Sequence, residues 1–114
     1  MATRTIRFPE RAGPRSIGEN RVGTRDEPRL TGLCCLSTLR RYLGSLDRVG
    51  RVVRVVGFVN CAPGFTRPSE VLHGFADLMI ELFGENGRHV RSAIGVAELY
   101  ADIPVEVEAL FKEA

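Results

Sequence analysis

The spacing of apolar residues separates a patterned stretch of the chain from an unpatterned one. From Leu30 onward leucines recur at steps of three and four, at Leu30, Leu33, Leu36, Leu39, Leu43 and Leu46. This spacing predicts a helix with one apolar stripe, with Gly44 as its stop. Residues Arg51 to Asn60 are dense in valine and predict a strand buried on at least one face, near the middle of a sheet. Cys61 to Arg67 read as a loop. Pro68 then fits the first turn of a second helix, where a missing N–H costs nothing. That helix places Val71, Leu72, Phe75, Leu78, Met79, Leu82 and Phe83 on one face, and Gly84 ends it.

Beyond a turn at Gly84 to Arg88 the period drops to two. Val90, Ser92, Ile94 and Val96 alternate with Arg91, Ala93, Gly95 and Ala97; later, Val105, Val107, Ala109 and Phe111 alternate with Glu106, Glu108 and Leu110. These two strands are expected to pair antiparallel through a loop at Leu99 to Pro104. The order helix, strand, helix, strand, strand implies an α+β sandwich of ferredoxin-like or chorismate-mutase-like kind. Two helices would pack on one face of a mainly antiparallel sheet.

Residues 1–27 lack this periodicity. The first 29 positions carry seven arginines and three prolines, and such a segment cannot bury enough surface to offset its ordering entropy. The expected division is an irregular or flexible arm at 1–27 and a domain at 28–114. A sheet of this size would ordinarily draw on an N-terminal hairpin, here lost or replaced.

At 114 residues and a formal charge of +2, the chain is one domain with no strong electrostatic bias. Four acids dilute the basic arm (Glu10, Glu19, Asp26, Glu27), and no stripe of basic and aromatic residues exists, so nucleic acid is not the expected partner. Cys34, Cys35 and Cys61 fit neither a disulfide framework nor a zinc spacing and read as reduced thiols of a cytoplasmic protein. No metal, cofactor or membrane segment is implied.

Three segments carry a resemblance: Gly57 to Phe65 (GFVNCAPGF), Leu82 to Leu99 (LFGENGRHVRSAIGVAEL) and Val105 to Ala109 (VEVEA). With the leucine helix and Tyr42 to Val49, they make residues 28–114 similar to the Rid family, also called YjgF-like or L-PSP endoribonuclease-like. The resemblance implies a homotrimer that hydrolyses small 2-imino or enamino acids to 2-keto acids and ammonia. It places Arg91 where the family binds the substrate carboxylate between subunits, and Glu106 where a glutamate positions the attacking water. A guanidinium suits the first role because it forks onto a carboxylate and keeps its charge. Ala93 stands where many deaminating members carry a cysteine, which excludes thiol chemistry there. Ala93 and Gly95 leave space beside Arg91, and Cys61 follows the central strand closely enough to line the same cleft. Backbone N–H groups near Gly57 to Cys61 and Ala93 to Gly95 would polarise the intermediate.

Plainer readings stand beside these. Arg91 could be an ion-paired surface residue, Glu106 an exposed strand carboxylate like Glu108, and Cys61 an inert thiol. His73 and His89 are acid–base candidates by chemistry alone and read equally as structural histidines. A non-catalytic trimer that binds small carboxylate metabolites is the second function the residues allow. Ribonuclease activity, an older family label, finds no support in the charge pattern.

Overall fold

The computed structural model describes the backbone of residues 3–9 and 26–114, and side chains from Pro28 onward. Six main elements follow one another: β1 (Thr3–Pro9), α1 (Asp26–Leu43), β2 (Val49–Asn60), α2 (Pro68–Phe83), β3 (Val90–Val96) and β4 (Val105–Glu113). They form the expected α+β sandwich, with α1 and α2 on one face of a four-stranded sheet of order β1-β4-β2-β3.

The strand pairing corrects the sequence reading. β3 and β4 are not neighbours: β2 lies between them, parallel to β3 and antiparallel to β4, which is in turn antiparallel to β1. The physical reason lies in β2. Its Val52, Val55 and Val59 are fully buried, and its backbone is hydrogen-bonded on both edges. A twelve-residue strand of this kind takes both later strands as flanks. The helix between β2 and β3 supplies the crossover that a parallel pair requires.

The α1 stripe is also phased differently from the leucine count. A helix turns about 100° per residue, so a strict step of three drifts backward around it. Leu30 therefore ends opposite Leu39, and both Leu30 and Leu33 are exposed. The buried stripe is Gly32, Cys35, Leu36, Leu39 and Leu43, while Leu46 lies beyond the helix in a short 3-10 turn. By contrast α2 follows its pattern closely. Val71, Leu72, Phe75, Leu78 and Met79 are buried, Pro68 opens the helix, and Gly84 closes it at φ 59°, donating its N–H to the Ile80 carbonyl. Only Leu82 departs, facing solvent.

Thr3–Pro9 lies inside the segment read as an irregular arm, yet it forms a strand against β4. Residues 10–25 of that arm, and with them the hairpin question, lie outside the described residues. α1 begins at Asp26, inside the arm as drawn from sequence.

Helices and sheet approach closely where side chains vanish. A Cβ on Gly57 would collide with the buried Leu72 side chain, and one on Gly32 would sit 2.8 Å from Leu78 Cδ2. The core thus lies between the helices and the alternate residues Val55, Val59, Val105, Val107, Ala109 and Phe111. The opposite face carries Val56, Phe58, Ile94, Glu106, Glu108 and Leu110, all partly or largely accessible.

Candidate functional site

The edge strand β3 meets α2 along a groove, and alternation decides which of its residues line it. Arg91 pairs in register with Val55 and Ala93 with Gly57, so both point to the helix side. Gly95 follows on the same side; a Cβ there would lie 3.2 Å from Cys61 Sγ and 3.8 Å from Pro68 Cγ. Arg91, Ala93 and Gly95 therefore share the helix side of β3, with Cys61 beside Gly95.

Arg91 is half-buried, and its Nη2 donates to Ser69 Oγ at 2.9 Å. Among the described residues no carboxylate forms a salt bridge with it, whereas Arg29, Arg48, Arg67 and Arg88 each pair with a glutamate. Ser69 was not foreseen. It lies in the first turn of α2, and only the crossover geometry, not any local motif, brings that turn to β3.

Two shallow depressions flank this contact. One, of about 320 Å³, is lined by Ala76, Ile80, Arg88, His89 and Arg91. The other, of about 300 Å³, is lined by Cys61, Pro63, Phe65, Gly95, Val96 and Ala97. The Pro68–Ser69 step joins them, because Ser69 holds the guanidinium while Pro68 borders Gly95. The first depression is cationic and the second mostly apolar, with Phe65 under the Arg67 guanidinium at 5.7 Å.

His89 shares the cationic depression. Its Nδ1 lies 2.7 Å from the Gly87 carbonyl oxygen; since a carbonyl only accepts, Nδ1 carries the hydrogen. Burial and the Arg91 charge push its pKa below the ordinary histidine value, and the Gly87 bond opposes them. His73 lines neither depression. Cys61 is partly covered, and burial raises its pKa against the pull of a bond to the Val96 backbone, which keeps the thiol protonated at neutral pH. Cys35, deeper in the core, is pushed up to about 12 by burial. All three cysteines are free.

Glu106 stands elsewhere. It faces Phe58 in the β2–β4 register, between the buried Val105 and Val107, and so projects from the sheet face opposite the helices. Within one chain the sheet separates Arg91 from Glu106. No group of three or more His, Cys, Asp or Glu among the described residues is placed to hold a metal ion. No helix there is long and apolar enough to cross a membrane.

No protein-family model matches the chain. It is 48% identical over 83 residues to Protein TCP17 of Trypanosoma cruzi, a match covering 72% of this chain and 52% of that protein, so the chain spans about half of that relative's length. Its fold is similar to that of a protein of unknown function from Agrobacterium tumefaciens, at a TM-score of 0.89 and 26% identity, covering 96% of this chain and 74% of the other. It is also similar to YyfB of Yersinia pestis, a protein of unknown function in the conserved Rid family, at a TM-score of 0.50 and 25% identity over 95% of this chain and 77% of that one. The sequence segments around Arg91, the helix-on-sheet architecture and these likenesses agree: the chain has the fold of the Rid family of YjgF-like, L-PSP endoribonuclease-like proteins and resembles that family in sequence.

Proposed function

We propose that the protein hydrolyses small 2-imino or enamino acids to 2-keto acids and ammonia, as a homotrimer in the cytoplasm. The observation that carries this reading is the Arg91 guanidinium, held by a neutral hydroxyl at a groove and paired with no carboxylate among the described residues. Such a cation is an anchor for a substrate carboxylate, which it can grip with two parallel N–H bonds. Ala93 and Gly95 leave room on the far side of the guanidinium for the rest of the substrate. Backbone N–H groups on the outer edge of β3, which pairs only with β2 among the described residues, are the available electrophilic partners.

Glu106 would orient the attacking water, but it projects from the other side of its own sheet. The reading therefore assigns it to the groove of a neighbouring copy, and assembly becomes part of the chemistry. Three free cysteines fit a reducing compartment.

The test is complementation. 2-Aminoacrylate generated in place is followed to pyruvate and ammonia with wild type, Arg91→Ala, Glu106→Gln and a refolded mixture of the two variants. Each variant alone should lose most of the turnover, and the mixture should recover activity at mixed interfaces. A wild type without turnover, or an Arg91→Ala protein as fast as wild type, rejects the proposal.

A second reading rests on the same separation of Arg91 and Glu106. One copy offers an anion anchor without the glutamate, which is what a carboxylate-binding trimer without turnover needs. Calorimetry with 2-keto acids distinguishes it, through saturable binding in the absence of any ammonia release.

A further inference from the structure

We infer that His89 is the proton acceptor of this site, taking the proton from the attacking water beside the carboxylate held by Arg91. The inference rests on the deaminase reading and adds a catalytic residue to it. His89 and Arg91 line one depression on the helix side of β3, on the same chain, whereas Glu106 leaves from the opposite side.

The Gly87 carbonyl accepts from Nδ1 at 2.7 Å, which fixes the ring and assigns the hydrogen to Nδ1. The basic lone pair of the neutral ring is then on Nε2, for which the described residues supply no partner. Charged groups around it are cationic or already paired: Arg91 on β3, and Arg88 in the preceding turn, whose Nε donates to Glu85 Oε1 at 3.1 Å. α2 contributes only Ala76 and Ile80 to the lining. No carboxylate in the lining competes for the role, and burial together with the Arg91 guanidinium favours the uncharged ring, which is the form a base requires.

The chemistry balances around a protonated imine. As the water oxygen bonds to the C=N carbon, the π pair moves onto nitrogen and Nε2 takes the water proton. Nε2–H then returns that proton to the amino group of the carbinolamine. The C–N bond breaks, C=O forms, and the hydroxyl proton leaves with ammonia as ammonium.

The experiment compares wild type, His89→Asn and Glu106→Gln over about pH 5 to pH 8. For wild type, kcat/KM should fall as pH drops below the ordinary histidine range, because protonated Nε2 accepts nothing. His89→Asn should lose about 100-fold or more in kcat with little change in KM, and its acid limb should vanish. Glu106→Gln should keep that limb on whatever activity remains. A flat wild-type profile, or His89→Asn turning over like wild type, overturns the role of His89 and leaves the deaminase reading intact. No turnover by wild type overturns both. Should His89→Asn not fold, the wild-type profile and nitrogen NMR of His89 decide: a neutral ring protonated on Nε2 rather than Nδ1 also refutes the assignment.

Discussion

Val55 and Val56 are neighbours on β2, yet Val55 is wholly buried under the helices while Val56 lies on the accessible sheet face. The same division runs across the sheet. On the helix side the core is buried, with depressions beside Arg91 and Gly95. On the other side Phe58, Ile94, Val56 and Leu110 sit among Glu106 and Glu108, all partly or largely accessible. One face is finished by a single copy, and it bears the groove. The other carries a carboxylate whose proposed work is done in another copy's groove, so the two faces answer to different experiments.

The largest effect should come from the groove. Arg91→Ala removes the anchor and should cost about 3 kcal/mol of 2-keto acid binding, roughly a hundredfold in dissociation constant by calorimetry. Unchanged binding would place the ligand elsewhere. Next come the paired valines. Val55→Ala should lower unfolding free energy by about 2 kcal/mol, and Val56→Ala by less than about 1 kcal/mol in a dilute monomer, measured by urea titration. If Val56→Ala costs as much as Val55→Ala at high protein concentration, copies cover the open face. Asn60→Ala should cost about 1–2 kcal/mol, since its buried Nδ2 donates to Asp102 Oδ1 at 2.9 Å and to the Ile103 carbonyl at 3.1 Å. The smallest change is Gly95→Ala: its methyl would approach Cys61 Sγ at 3.2 Å and should raise KM a few-fold for bulky substrates, with melting temperature nearly unmoved.

How much of this was legible follows from where each signal sits. The second helix carries its evidence locally, in a 3.6-residue period between Pro68 and Gly84, and the structure has a helix over Pro68–Phe83. The first helix has leucines on more than one side, so counting leucines misled where Cys35 and Gly32 define the buried stripe. Alternation assigned Arg91, Ala93 and Gly95 to a common face, but it is silent about partners; the short link from β3 to β4 imitated a hairpin although β2 lies between them. Thr3–Pro9 gave only a faint signal, its threonines, Ile6 and Phe8 being diluted by arginine and proline. Arg91 came from the family resemblance, whereas Ser69 and the shared depression of His89 and Arg91 arise from the α2 crossover, which no local motif encodes.

The antiparallel ladder between β2 and β4 joins segments separated by all of α2 and β3. Val105, Val107, Ala109 and Phe111 fill the centre of the core although they come late in the described chain. During synthesis, both helices and three strands leave the ribosome before the residues that seal them. Until β4 is released the nascent chain holds an open apolar trough along β2, the kind of surface that chaperones bind.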